Sequence, residues 1–199
     1  MSDIRILILG DLNVGKTSFV NNIIYNKFND LEGSTIGVNL NFKNYKVINE
    51  NVNVCFIDPS GSPRFSFIND TYIKNIGIVF YLFDLSSNES FKNIQNKINL
   101  FNQLNNLNSY EYLIGCKSDK ISKVDKADIV ELCKKNNIKY YSISNKNNSD
   151  SKLINKVIHK CLLKYNIYDK SFEINNKIIK NKVIKVRERD YYCGWLLPC

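Results

Sequence analysis

The chain has 199 residues, a formal net charge of +9, 44% hydrophobic residues and 12% aromatic ones. That length suits one domain with a tail, and the apolar share is enough to bury a core, which excludes wholesale disorder. No apolar run approaches the roughly 18–20 residues a bilayer requires, so no transmembrane helix is expected.

The predicted elements alternate. Ile4–Leu9 is apolar and β-branched, reads as a strand, and runs into a glycine-containing loop. Thr17–Tyr25 reads as a helix with Phe19, Val20, Ile23 and Ile24 inward. Val38–Ile48 and Asn51–Ile57 read as two strands of a hairpin turning at Asn49–Glu50. Ile78–Phe83 is a fully apolar strand. Phe91–Leu107 carries Ile94, Ile98, Phe101 and Leu104 at helical period. Tyr112–Cys116 is strand-like, Lys126–Lys135 helical, Lys139–Ile143 a strand and Ser151–Tyr165 a helix. Such alternation implies right-handed βαβ units: an α/β fold with a mostly parallel six-stranded sheet and helices on both faces. The hairpin supplies one antiparallel edge strand.

The domain is expected to span 1–168, with a flexible basic tail over 169–199 that holds seven Lys/Arg against four Asp/Glu. No basic stretch with a long apolar segment precedes the first strand, so no secretory signal is expected, and Ser2 stands where myristoylation needs glycine. Cys55, Cys116, Cys133 and Cys161 are far apart and share no metal spacing, which suits reduced cytosolic thiols. The lysines are spread along the whole chain and no aromatic motif with flanking arginines accompanies them, so no nucleic-acid partner is expected.

The strongest motif is Gly10-Asp11-Leu12-Asn13-Val14-Gly15-Lys16-Thr17, a G-x-x-x-x-G-K-T loop between a strand and a helix. Gly10 and Gly15 let the backbone curl so that N–H groups, joined by the helix N-terminus, face phosphate oxygens. Asp11, Asn13, Val14, Gly15 and Ser18 are assigned to that cradle. Lys16 reaches the β- and γ-phosphates, and the Thr17 hydroxyl ligates Mg²⁺. The loop alone leaves ATP and GTP open.

From Ile4 to Tyr165 the chain resembles the Ras superfamily of small GTPases, Rab proteins in particular. Thr35-Ile36-Gly37 is similar to the family's first switch, whose Thr ligates Mg²⁺ and senses the γ-phosphate. Phe28 matches the aromatic packed edge-on to guanine. Asp58-Pro59-Ser60-Gly61 resembles D-x-x-G, with Asp58 holding Mg²⁺ through water and the Gly61 N–H meeting the γ-phosphate. Cys116-Lys117-Ser118-Asp119 stands where the family has N-K-x-D, and Ser144-Asn145-Lys146 where it has S-A-K. Ile36-Gly37-Val38-Asn39-Leu40, Arg64-Phe65-Ser66 with Tyr72-Ile73-Lys74, and Phe83-Asp84-Leu85-Ser86 add Rab-like wording. The resemblance implies a P-loop GTPase fold, GTP/GDP and Mg²⁺ as cofactors, catalytic roles at Lys16, Thr35, Gly61 and the residue at 62, and a monomer. It also implies effectors, an exchange factor and a GTPase-activating protein at the switches, and vesicle trafficking at the cytosolic face of a Golgi or endosomal membrane. Asp119 selects the base, because its two oxygens accept from guanine N1–H and the 2-amino group, a donor pair adenine lacks. The alternative is that Asp119 only caps the helix beginning near Val124. The Asn145 N–H donates to guanine O6, and Lys117 and Lys146 lay their stems on the base.

Several positions depart from the family. Ser62 replaces the Gln that orients the attacking water, and Pro59 and Pro63 stiffen the segment around it. Cys116 replaces an Asn that bridges the phosphate loop and the base; one lost neutral hydrogen bond, about 0.5–1.5 kcal/mol, lowers affinity roughly 3- to 10-fold. Glu32 stands where an aromatic usually covers the phosphates. The end, Cys193-Gly194-Trp195-Leu196-Leu197-Pro198-Cys199, is neither a double-cysteine end nor a C-a-a-X box. Single prenylation of Cys199 is expected, with Cys193 a second acylation site; Lys177, Lys180, Lys182, Lys185, Arg187 and Arg189 either face an anionic membrane or form a solvated linker. Three readings stay open: a cycling GTPase switch, a GTP-loaded scaffold that does not cycle unaided, and an ATP-using P-loop protein for which Asp119 is coincidental.

Overall fold

The computed structural model describes residues 4–29, 33–62, 72–105, 107–147 and 149–165. Glu32, Pro63, Arg64, Phe65, Ser66, the basic tail, Cys193 and Cys199 lie outside the described residues. The chain divides into two compact units, Met1–Cys161 and Leu162–Cys199. The first carries the sheet and the cleft below.

Six strands form one sheet in the order β2-β3-β1-β4-β5-β6. They are β1 (Ile4–Gly10), β2 (Val38–Val47), β3 (Glu50–Pro59), β4 (Ile78–Asp84), β5 (Tyr110–Cys116) and β6 (Lys139–Ser142). Only β2 runs antiparallel, against β3; every other pair is parallel. β4 is buried throughout, as expected of a central parallel strand covered on both faces.

The helices are α1 (Lys16–Tyr25), α2 (Asn88–Lys92), α3 (Ile94–Leu104), α4 (Lys126–Asn136) and α5 (149–165). On one face Leu7, Leu9, Val79, Tyr81 and Phe83 pack with Phe91 of α2, Ile94, Ile98 and Phe101 of α3, and Ile129 of α4. On the other, Phe19 of α1 meets Phe80 edge-on at 5.4 Å, and the Tyr112 hydroxyl of β5 lies 3.0 Å from Cys161 Sγ of α5. Odd and even strand positions feed opposite faces because side chains alternate along a strand. Each Leu, Ile or Phe so buried contributes about 1.5–3 kcal/mol. Cys55, Cys116, Cys133 and Cys161 remain thiols. Among the described residues no helix is long and apolar enough to cross a membrane.

Three boundaries differ from expectation. The helix expected over Phe91–Leu107 is two, α2 and α3, parted at Asn93, whose amide is drawn to Asp11 at 2.7 Å. It starts earlier because the Ser87 hydroxyl caps it by accepting the Ser90 N–H. The hairpin turns at Ile48–Asn49, one residue before Asn49–Glu50, because the ladder closes at Val47 opposite Glu50. That register puts Ile48 at φ 56°. A β-branched residue in the left-handed region is strained by roughly 1–2 kcal/mol.

Ile48 is 61% exposed and has little packing to lose. Ile48→Gly is therefore expected to stabilise the chain by about 1 kcal/mol. Denaturant unfolding of both proteins checks this through an unchanged slope and a higher midpoint.

Candidate functional site

The cleft opens at the C-terminal edge of the parallel strands. It measures about 290 Å³ and is lined from Leu12 and Asn13 at one wall to Asn145 and Lys146 at the other.

β1 ends at Gly10, where a Cβ would sit 2.5 Å from the Leu82 carbonyl oxygen, so only glycine lets the strand turn this close to β4. The chain then curls through Asn13 (φ 61°) and Gly15 (φ 100°) into α1. The α1 N-terminus has neither a side-chain cap nor an acidic residue in its first turn. Its positive end is left for an anion. Lys16 is only 6% exposed. Its Nζ donates to the Asp11 carbonyl at 2.8 Å, and no carboxylate forms an ion pair with it among the described residues. Burial pushes its pKa down to about 8. A buried ammonium of this kind calls for a negative partner.

Beside it three oxygens from three segments converge. Thr17 Oγ1 lies 2.7 Å from Asp58 Oδ2 and 2.8 Å from Thr35 Oγ1. Asp58 is fully buried at the end of β3. One carboxylate and two hydroxyls form the hard oxygen set that suits Mg²⁺, an ion that keeps waters and completes its shell with phosphate. Gly61 closes against the phosphate loop, its Cβ position 2.5 Å from the Asp11 carbonyl and the Leu12 nitrogen.

The far end is built from three loops. Lys117 donates to the Asn13 carbonyl at 2.7 Å and pairs with Asp84 at 2.7 Å. Asp119 Oδ1 accepts the Ser144 hydroxyl at 2.7 Å, which holds the Asp119 carboxyl below its ordinary pKa, so the exposed group is anionic. Lys146 Nζ stands 5.7 Å from the Phe28 ring centroid across the slot. The helix-cap alternative for Asp119 fails: α4 starts at Lys126, and Asp125 caps it by accepting the Ala127 N–H at 2.8 Å.

The structure thus brings Asn13, Gly15, Lys16, Thr17, Ser18, Phe28, Thr35, Gly61, Lys117, Asp119, Asn145 and Lys146 to one cleft. Asp11, Val14, Asp58, Ser62, Cys116 and Ser144 are not in its lining. The Asp11 carboxylate faces α3 instead, 2.8 Å from Lys97 and 2.7 Å from the Asn93 amide; only its carbonyl serves the site. Val14 packs over Gly10. The Ser62 N–H donates to Ser60 Oγ at 3.3 Å. Cys116 is wholly buried, and its thiol is pushed up to about 12, chiefly by burial. Sequence reasoning missed Leu12, Asn29, Gly33, Ser34 and Lys120 in the lining, and Asp84 behind Lys117. Leu12 lies inside the loop motif and could have been found there; Gly33 and Ser34 adjoin Thr35. Nothing in the local text singles out Lys120.

Comparison with known proteins agrees with this layout. The model of the Ras family matches residues 5–165. The chain is similar to Ras-related protein RabH of Dictyostelium discoideum, 28% identical over 182 residues, covering 90% of this chain and 88% of the relative. It is also similar to Ras-related protein Rab-13 of Canis lupus familiaris, 26% identical and covering 73% of each chain. Ras-related protein Rab-15 of Homo sapiens is 28% identical, covering 70% of this chain and 67% of the relative.

Lys16 gives the cleft two opposed pH dependences. A bound anion favours the ammonium, so affinity for an anion such as tripolyphosphate falls as pH rises through about 8, by up to tenfold per unit. The empty fold behaves oppositely. Between about 8 and the ordinary lysine value the unfolded chain binds more protons, so stability rises with pH. Titration calorimetry between pH 7 and 9.5 checks the first trend: Lys16→Met is expected to bind the anion more weakly than the parent at pH 7, and the two are expected to converge toward pH 9.5.

Proposed function

The chain belongs to the Ras family of small GTPases, of the Rab-like kind, and from that premise we propose a guanine-nucleotide switch in membrane trafficking whose unaided hydrolysis is slow. The observation that supports it best is that one cleft is lined by Lys16, Thr17 and Thr35 at one end, with Asp58 directly behind Thr17, and by Asp119 at the other.

In this reading GTP lies along the cleft with its base between Phe28 and Lys146. Asp119 accepts the two guanine donors, held in place by Ser144. The loop N–H groups and the α1 terminus bind the phosphates, and Lys16 neutralises charge on the β- and γ-oxygens. Thr17, Thr35 and Asp58 would hold Mg²⁺, and the ion would supply neutralisation of phosphate charge when bound. Gly61 places its N–H at the γ-phosphate, so Thr35 and Gly61 register its presence and are released when it leaves. Ile36, 82% exposed, with half-exposed Leu40 and Phe42, gives effectors, an exchange factor and a GTPase-activating protein an apolar surface beside Thr35.

Slow turnover follows from Ser62. It is outside the cleft lining and too short to orient a water at the γ-phosphate. The same observation supports the second reading, a GTP-loaded scaffold that recruits effectors and needs a partner to cycle. For localisation we propose the cytosolic face of an endomembrane, held through the basic tail, Cys199 and Cys193.

A competition titration tests the base assignment. GTP is expected to exceed ATP in affinity roughly 10⁴-fold, since adenine would leave Asp119 without its donors. Asp119→Asn is expected to shift preference toward xanthine nucleotides. Equal binding of ATP and GTP by the parent would overturn the guanine reading.

Single-turnover hydrolysis tests the rate. Ser62→Gln is expected to raise it roughly tenfold, less than the roughly 10²–10⁴-fold of a fully positioned proton-handling group, because Pro63 next to it restricts the segment. A variant no faster than the parent would remove the argument from Ser62.

A further inference from the structure

In the resembled family the residue at 116 is an asparagine that ties the base-recognition loop to the phosphate loop. Here that position is a cysteine whose thiol makes no hydrogen bond among the described residues. Burial keeps it protonated, so it is a small neutral group in the core. A thiol is a weak donor and a weak acceptor and cannot replace a carboxamide. Lys117 still ties the base-recognition loop to the Asn13 carbonyl at 2.7 Å, and a second tie reaches the phosphate loop from elsewhere.

Asn145 crosses the gap from the loop after β6. Its Nδ2 donates to the Gly15 carbonyl at 3.2 Å. The acceptor is a carbonyl, so only the amide nitrogen can face it. The approach is close, because a Cβ on Gly15 would sit 3.1 Å from that nitrogen. Asn145 is also held from behind: its own carbonyl accepts the Asn22 Nδ2 of α1 at 2.7 Å, a buried bond. The neighbouring Ser144 is fixed twice, by its N–H to Asp150 at 2.8 Å and by its hydroxyl to Asp119 at 2.7 Å. Asn145 is buried, and it lines the cleft directly after the residue that braces Asp119.

We propose that Asn145 is the positioning residue that clamps the base-recognition loop to the phosphate loop, taking over from the third nucleotide motif the bridge that Cys116 cannot make. The carboxamide stands at 145 and not at 116: the loop after β6 holds the phosphate loop through Gly15 and, through the neighbouring Ser144, holds Asp119. This role belongs to the side chain and is separate from the donation of the Asn145 N–H to guanine O6. It rests on the guanine-nucleotide reading. It implies that nucleotide retention in this chain depends on Asn145 and is insensitive to Cys116 as long as Asn145 is present.

The experiment is release of a fluorescent GDP from the full chain by stopped flow, for the parent, Asn145→Ala, Cys116→Asn and the double variant. Asn145→Ala is expected to speed release about 3- to 10-fold, the worth of one neutral hydrogen bond. Cys116→Asn alone is expected to change it less than twofold. The double variant, which returns the carboxamide to 116, is expected to release GDP at a rate within twofold of the parent. That rescue distinguishes a clamp from a packing role, because Cys116→Asn does not refill the space lost at 145. Asn145→Leu keeps the volume without the donor and is expected to match Asn145→Ala; its thermal midpoint in the nucleotide-free state shows whether the loop still folds. Unchanged release in both Asn145 variants overturns the proposal, as does fast release that Cys116→Asn leaves unrescued. A parent that binds no GDP at all overturns the guanine reading instead, a result visible before any variant is made.

Discussion

A buried lysine with no carboxylate in ion-pair distance among the described residues is the constraint on which this structure turns. Lys16 sits inside its own loop, and its Nζ donates to the Asp11 carbonyl. The loop holds that arrangement because each of its ties comes from a different element. Lys117 reaches the Asn13 carbonyl, Asn145 the Gly15 carbonyl, and Asn93 with Lys97 the Asp11 carboxylate. The cost of a desolvated ammonium is carried by the rest of the fold until an anion enters.

The sheet explains why those elements meet. Gly10 pairs in register with Leu82, and Asp84 with Cys116, so β1, β4 and β5 end side by side. Asp58 ends β3 on the other flank of β1. Parallel strands deliver all their C-terminal loops to one edge, and the cleft lies where those loops gather. Asp84, an ordinary strand end by its text, there becomes the counter-ion of Lys117. The two segments that face the phosphate end are also linked to each other, through the Ser60 N–H and the Gly37 carbonyl at 2.8 Å. That bond ties the residues after Thr35 to the residues before Gly61.

Much of this was legible in the sequence because its signals are local. The phosphate loop is eight consecutive residues whose glycines, lysine and threonine each answer one requirement of a phosphate. Strand and helix alternation follows from hydrophobic period, and six strands in a mostly parallel sheet follow from that alternation. The order of Thr35, Asp58, Asp119 and Asn145 along the chain carried the family resemblance, and the fold brings all four to the same cleft or directly behind it.

What the tertiary structure alone decided is where side chains point when their partner is far along the chain. Asp11 looked like a cradle residue, but Lys97 and Asn93 lie more than eighty residues away and no local rule shows them turning its carboxylate outward. As text Asp119 could cap a helix beginning near Val124; α4 instead starts at Lys126 and is capped by Asp125, which leaves the Asp119 carboxylate at the cleft. The Asn145 carboxamide meets Gly15 across 130 residues, a contact that exists only once β1 and the loop after β6 are side by side. Sequence fixes chemistry within a few residues because the chain is stiff over that distance. Direction over longer spans comes from packing, which no single segment contains.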